Sequence, residues 1–350
     1  MKSSLIVLAA GADIKNRFLL AEGRNLRFGP DIGDLSNASN YELFKKEIRR
    51  ATKNIRPDII TCDLHPGYFS TKFVKENSRP VQHHHAHIAS VIEEHDLKNP
   101  VIGVAFDGTG LGTDGNIWGG EFLVVSRRGF NRLAHFKYIK MPGGDKVAGE
   151  PWRMVLSILG RRGIPFIKSV KKEDKELILS ICAKNINSPL TSSSGRLFDA
   201  AAALLGICEK ARHEAEGPVK LEAMCKNGVE EDYEFGISKD DGRYIIDAEP
   251  LFLGMVEDMK KRKDKKVIAA KFHNSIARII VKTVKRLSKD TGIKDIALSG
   301  GVFQNRFLRT KTIEKLLSSK FNVFINNKTP VNDFNISLGQ FHVSRRTGKN

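Results

Sequence analysis

Neighbouring cysteines are missing from this chain. Its four cysteines, Cys62, Cys182, Cys208 and Cys225, are scattered through 350 residues with no C-x-x-C pair. That argues against a zinc site built on cysteine pairs and against a secreted disulfide framework, so all four are expected to be buried, reduced packing residues. Long apolar runs are missing too, and nothing approaches the roughly 20 residues of a membrane-spanning helix. The opening run Leu5–Ala10 gives way to Asp13, Lys15 and Arg17, whereas a signal peptide carries a longer apolar region and a cleavage site. An early strand and a cytoplasmic protein with no membrane partner are expected. Aromatic residues are not interleaved with the basic runs Lys260-Lys261-Arg262-Lys263 and Lys265-Lys266, so the stacking platform of a single-strand binder is lacking. The turn Leu298–Asn305 is neither a Walker A loop nor a G-x-G-x-x-G dinucleotide loop, and the chain has no low-complexity segment and no short repeat.

What is present describes a globular protein. Hydrophobic residues make up 41% and charged residues 28%, and the length suffices for two lobes. The formal charge of +18 is compatible with a nucleic acid, an acidic protein or a phosphorylated ligand as partner. Its densest run, residues 260–266, reads first as a solvated helix end or loop.

Strand patterns occur at Ser4–Ala10, Arg17–Ala21, Asp58–Leu64, Val101–Asp107, Glu121–Ser126, Asp295–Leu298 and Phe321–Ile325. Helical patterns occur at Tyr41–Ile55, His84–His95, Glu150–Gly160, Lys172–Asn185, Arg196–Leu205, Leu251–Lys260, Ala269–Leu287 and Asn305–Leu317. The alternation predicts an α/β fold with two lobes, residues 1–148 and 149–350, and glycine-rich turns after strands in both halves suit a nucleotide held between them.

Four histidines crowd into five positions, His83-His84-His85-Ala86-His87. On a helix, His83 and His87 share a face, as do His84 and His87, and two imidazoles so spaced are a common metal-binding arrangement. Capping or packing is the bland alternative, and zinc, iron and manganese are not separable at this level. Asp107 closes an apolar strand and opens Gly108-Thr109-Gly110-Leu111-Gly112, a turn suited to phosphate or cation work, with a plain hairpin as the alternative. Leu298-Ser299-Gly300-Gly301-Val302-Phe303-Gln304-Asn305 joins a strand to a helix, the geometry in which a helix N-terminus receives an anion, or simply a tight turn. Thr191-Ser192-Ser193-Ser194-Gly195 precedes a helix carrying Asp199, either as caps or as a site where Asp199 receives a ribose hydroxyl. Asp333 either caps the helix that follows it or turns inward as another oxygen ligand.

In order along the chain, VQHHHAHIAS (Val81–Ser90), DGTGLGTDGNIWGGE (Asp107–Glu121), PGGDKVAGEPWR (Pro142–Arg153), TSSSGRLFDA (Thr191–Ala200), AEGPVKLE (Ala215–Glu222), FHNSIA (Phe272–Ala277), LSGGVFQNRF (Leu298–Phe307) and NDFNISLGQ (Asn332–Gln340) resemble the C-terminal catalytic domain of the HypF family. Gly11–Asp34 and CDLHP (Cys62–Pro66) resemble it as well. Asn332-Asp333-Phe334-Asn335 departs from the family, which usually has glycines after the aspartate.

The resemblance implies the two-lobed fold of sugar kinases and actin, with an ATP-derived nucleotide and a metal between the lobes. It implies metal ligands His83, His87, Asp107 and Asp333, with iron or zinc as the ion. It implies adenylate contacts from Gly108, Thr109, Gly110, Gly112, Ser194, Gly195, Asp199, Gly217, Ser299, Gly300, Gly301 and Asn305. The implied reaction passes a carbamoyl group from carbamoyl-adenylate to the C-terminal cysteine of a HypE-like partner, in making the cyanide ligand of [NiFe]-hydrogenase. His83, His87 and Asp107 would carry the chemistry, and a separate YrdC-like, zinc-finger subunit would supply the carbamoyl-adenylate. Threonylcarbamoyl transfer to tRNA, which the charge favours, small-molecule O-carbamoyl transfer and a non-catalytic nucleotide-binding scaffold are the alternatives.

Overall fold

The computed structural model describes residues 4–76, 78–126 and 129–345. Near the start of the chain, β1 (Ile6–Ala9), β2 (Leu19–Glu22) and β3 (Asn25–Phe28) form an antiparallel meander. On its other side β1 runs parallel to β4 (Ile59–Asp63), and β4 runs parallel to β5 (Ser78–Val81), giving a five-stranded sheet of order β3-β2-β1-β4-β5. Leu8, Phe18, Leu20, Phe44, Ile48 and Cys62 pack into one core of this sheet with the helix Ala38–Thr52.

A second sheet begins with β6 (Val101–Phe106), β7 (Gly120–Ser126) and β8 (Gly129–Phe136). A two-stranded ribbon, β9 (Ile139–Lys140) with β10 (Leu190–Thr191), leads into a mainly helical stretch. The sheet is completed by β11 (Gly236–Asp240), β12 (Arg243–Asp247), β13 (Asp295–Ser299) and β14 (Asn322–Ile325), in the order β11-β12-β8-β7-β6-β13-β14. All six residues of β6, Val-Ile-Gly-Val-Ala-Phe, are buried, as an unbroken apolar run in a strand covered on both faces should be. Phe106, Phe122, Phe136 and Phe303 meet on one face, in ring pairs 5.5–5.8 Å apart.

The α/β class and the two-part architecture agree with expectation, but the expected division at 148/149 is not where the sheets divide. β6 to β8 pair with β12 and β13, so the second sheet draws strands from both sides of residue 149, and the break lies between Val81 and Val101. The strands without a sequence prediction are β3, β5, β8, β9, β10, β11 and β12; three of the four outermost strands of the two large sheets, β3, β5 and β11, are among them, and β5 contains Pro80. Such strands bury too little to alternate clearly.

The helix predicted over Ala269–Leu287 extends over Lys265–Thr291, because the Asp264 side chain caps the Lys266 amide at 2.9 Å and Gly292 closes the other end at φ +75°. Lys265 and Lys266 are thus its first turn, while Lys260 pairs with Glu257 and Lys263 with Asp258. That matches the plain reading of the run.

The carboxyl ends of β4, β6 and β13 deliver Asp63, Asp107 and Ser299-Gly300-Gly301 to one region, where open α/β sheets gather their ligands. Across it lie the helices His83–Glu94 and Ile336–Ser344, in close contact. A methyl group on Gly339 would fall 1.8 Å from the Ala86 carbonyl oxygen, so only glycine permits that approach.

Candidate metal centre and adjoining cleft

The histidine helix starts at His83 because Gln82 caps it, its side-chain oxygen accepting from the His85 amide at 2.8 Å. One turn apart, His83 and His87 send their Nε2 atoms toward Asp107 Oδ2, each at 3.3 Å. Asp333 Oδ1 lies 3.7 Å from His83 Nε2 and 3.6 Å from His87 Nε2. One donor atom from each of these four residues falls within 4.8 Å of all the others. Both histidines are buried, and Asp107 and Asp333 are nearly so.

The ring nitrogens on the far side settle the tautomers. His83 Nδ1 lies 2.7 Å from Asp63 Oδ2, and His87 Nδ1 lies 2.9 Å from Asn335 Oδ1. The Asn335 amide nitrogen donates to Ser299 Oγ at 3.0 Å and to Asn326 Oδ1 at 2.9 Å, which orients its oxygen toward the ring. Both Nδ1 atoms therefore donate, so each Nε2 either carries the second proton of an imidazolium toward the carboxylates or, deprotonated, offers its lone pair to a cation. Either way a positive charge belongs between these donors. A cation bonded at about 2.1 Å holds adjacent donors about 3.0–3.4 Å apart, close to the spacing found, so the donor set fits a metal. Burial alone would lower the His83 imidazole, but Asp63, Asp333 and Asp107 more than reverse it and raise it well above its usual value. Burial would raise the Asp107 carboxyl, yet His83 and His87 hold it well below the usual carboxylate range.

Asp107 is fixed from several sides. Its amide donates to the Gly119 carbonyl at 2.8 Å, its carbonyl accepts from the Gly195 amide at 3.0 Å and from Ser193 Oγ at 2.8 Å, and Gly301 N donates to its Oδ1 at 3.1 Å. Behind it stands a buried ion pair, Arg132 to Glu121 at 2.5 Å, and Glu121 Oε1 accepts from the Gly119 and Gly120 amides at 3.0 and 3.1 Å.

A cleft of about 340 Å³ opens from this centre. Of the residues predicted to contact a nucleotide, Gly108, Gly195, Asp199, Gly301 and Asn305 line it, as does Asp107. Asp199 is buried and its carboxyl is pushed up by that burial, against the opposing pull of Arg196, whose guanidinium lies 3.0 Å away. Other predicted contacts are placed elsewhere. Added methyl groups on Gly110 and Gly112 would strike His84 and Trp118, so these glycines serve close packing, and Thr109 is exposed. Ser194 is buried with its hydroxyl on the Gly119 carbonyl at 2.6 Å, and Ser299 supports Asn335. Gly217 packs on Ala202, beside Asp199. Gly300, at φ +106°, passes so near β6 that a methyl group would lie 2.2 Å from the Phe106 carbonyl oxygen. Asn305 also caps the helix Arg306–Ser318 and holds His273.

Asp63, Asn335 and Lys15 carry no sequence assignment, yet each belongs here: the first two orient the histidines and Lys15 lines the cleft. The available signal was an aspartate ending strand β4, as Asp107 ends β6, and a lysine in the loop after β1.

Comparison with known proteins identifies the family. Two family models cover most of the chain: the HypF Kae1-like domain over residues 2–94, and the carbamoyltransferase Kae1-like domain, second subdomain, over residues 103–340. The chain is 33% identical to a carbamoyltransferase HypF homolog of Cupriavidus necator, over 97% of this chain and 91% of that protein. It is 32% identical to carbamoyltransferase HypF of a Synechocystis species, over 95% of this chain and 46% of that one. A crystal structure of full-length HypF in the phosphate- and nucleotide-bound form superposes with a TM-score of 0.95 at 38% identity, over 100% of this chain and 48% of that one. The chain thus spans about half the length of those full-length relatives and nearly all of the Cupriavidus homolog, and it belongs to the HypF carbamoyltransferase family as that family's Kae1-like domain.

Proposed function

We propose that this chain transfers a carbamoyl group from carbamoyl-adenylate to the C-terminal cysteine thiol of a HypE-like protein, in making the cyanide ligand of [NiFe]-hydrogenase. The observation that carries the reading is the convergence of His83 Nε2, His87 Nε2, Asp107 and Asp333 at the head of a cleft lined by Gly108, Gly195, Asp199 and Gly301. Those four ligands would hold a divalent cation, iron or zinc, which would supply Lewis-acid polarisation of the carbamoyl carbonyl or the adjoining phosphate. The protein's own residues do the rest. The backbone around Gly108, Gly195 and Gly301 takes the acyl-phosphate end, and the buried Asp199 carboxylate receives a ribose hydroxyl. Asp63 and Asn335 hold the two imidazoles in the metal-binding tautomer.

Carbamoyl-adenylate would come from a YrdC-like unit with zinc fingers, on the same polypeptide or a separate one. The reaction belongs in the cytoplasm, where the four cysteines remain thiols. Among the described residues no helix is long and apolar enough to cross a membrane.

The test supplies carbamoyl-adenylate and a HypE-like acceptor to the metal-loaded chain and reads the acceptor's mass. A gain of one carbamoyl group on the terminal cysteine, lost in His83→Ala and Asp107→Ala, is expected. No gain with metal and nucleotide bound would sink the thiol-transfer reading, and carbamoylated or threonylcarbamoylated tRNA in its place would redirect it.

A further inference from the structure

Lys15 stands on the loop between β1 and β2, on the five-stranded-sheet side of the cleft, in a left-handed backbone conformation at φ +50°. The loop is firmly placed. The Asn16 side chain donates to the Ala10 carbonyl at 2.9 Å and also to that of Ala12, the Asn16 amide donates to the Gly33 carbonyl at 2.8 Å, and the Gly11 amide donates to Gln340 Oε1 at 2.9 Å. From this platform the Lys15 ammonium reaches across to Glu214, 3.0 and 3.2 Å from its two carboxylate oxygens. Glu214 belongs to the other side of the cleft, just before the helix Glu216–Ala223 and beside Ala215, itself left-handed at φ +58°. Both residues line the cleft together with Asp107 and Gly108.

The two cations of this lining differ in how firmly they are held. Arg196 is 13% exposed and tied to Asp199, its neighbour on the same helix. The Lys15 and Glu214 side chains are 32% and 59% exposed, and an ion pair so open to water contributes little and is readily exchanged. Burial would lower the Lys15 ammonium, but Glu214, Asp333 and Asp107 together hold it above its usual value, so it stays charged. A charged lysine on a fixed loop, beside the metal ligands and with an exchangeable carboxylate partner, suits an anion that enters the cleft and displaces that carboxylate.

We propose that Lys15 is a phosphate-binding residue of the cleft, and that its ammonium moves from Glu214 to the phosphate oxygens when an adenylate binds. This rests on the reading of the cleft as a nucleotide site. Glu214 is then a competitor that the phosphate must outbid, and a bound nucleotide unlatches the contact across the cleft mouth.

Calorimetric titration of the whole chain with AMP and with adenosine tests it, because the two ligands differ only in the phosphate. Lys15→Met is expected to weaken AMP binding about tenfold or more while leaving adenosine within about twofold. Glu214→Gln is expected to strengthen AMP binding relative to adenosine, and it stands as the test should Lys15→Met fold poorly. Equal losses for both ligands in Lys15→Met, or an unchanged or smaller AMP preference in Glu214→Gln, would overturn the assignment of Lys15. Failure of the unaltered chain to bind either ligand would overturn the nucleotide reading itself and the proposal with it.

Discussion

His83 Nδ1 lies 2.7 Å from Asp63 Oδ2 while the opposite nitrogen of the same ring faces Asp107, so one imidazole bridges the carboxyl ends of strands from both sheets. Asp63 thereby sets the tautomer and aim of His83 without approaching the metal position itself. Partners of this kind typically change metal affinity about 10–100-fold. Asp63→Ala is expected to lower affinity for the bound metal within that range, read by competition with a chelator, with a smaller loss in Asp63→Asn. Unchanged affinity in a folded Asp63→Ala would mean that helix packing alone positions His83.

The pH dependence of stability is expected to differ with and without metal. In the metal-free protein burial would lower both imidazoles, yet Asp63, Asp333 and Asp107 raise His83, and Asp107 and Asp333 raise His87, above the ordinary 6.5. A group raised in the folded state contributes stability that is fully present below 6.5 and is lost as pH rises through the raised value. Metal demands deprotonated rings, so its binding strengthens over the same range. The melting temperature of chelator-treated protein should therefore fall from about pH 6.5 to 9, while the margin gained on adding metal widens. A margin that stays constant or narrows would contradict the donor set assigned here.

The Arg132–Glu121 pair is the concealed support of the same centre. Arg132 also reaches Tyr138 at 2.7 Å and Ser192 at 3.1 Å, and sits 4.0 Å over the Trp118 ring. Removing one member leaves a buried charge unpaired, at about 3–5 kcal/mol. Arg132→Met should cost that much in denaturant unfolding and should also weaken metal binding, because Glu121 orders the Gly119 strand on which the Asp107 amide rests. The double variant Glu121→Gln/Arg132→Met should lose much less than the sum of the two single changes. A simple sum would show that the two charges act independently.

How much of this is written locally differs from residue to residue. His83 and His87 are legible because four-residue spacing on a helix is itself the geometry of a shared face, and Asp107 because it ends an apolar strand. Asp333 came through the motif likeness, since its neighbours suit a cap equally well. Asp63, Asn335 and Lys15 were not legible as site residues, because their partners lie 20, 248 and 199 positions away and only the folded chain brings them together. Asn335 is instructive: it lies in the segment that departs from the resemblance, and it holds His87. In the glycine loop after Asp107, Gly108 lines the cleft, whereas Gly110 and Gly112 are also required by the bulk of His84 and Trp118. The pairing of β6 with β13 and of β8 with β12 was not legible either, because strand pairing across more than a hundred residues leaves no local mark.

Cys225 looks at first like a nucleophile of the chain's own, with Sγ 3.2 Å from His273 Nδ1 and Asn305 Nδ2 2.8 Å from His273 Nε2. The hydrogen bonds argue otherwise. His273 Nε2 accepts from Asn305, so Nδ1 carries the proton, and it donates that proton to the Ala269 carbonyl at 2.8 Å, leaving no base for the thiol. Burial pulls the imidazole down to about 4, and burial followed by Glu222 pushes the thiol up to about 12. The thiolate is the reactive form, so Cys225 should resist alkylation at pH 8 as long as the fold is intact. Cys225→Ser should retain carbamoyl transfer, and the intact chain should gain no carbamoyl mass of its own when carbamoyl-adenylate is supplied without an acceptor. A stable carbamoyl adduct on Cys225 would place a covalent intermediate in this chain and remove the reason for assigning the attacking thiol to a partner.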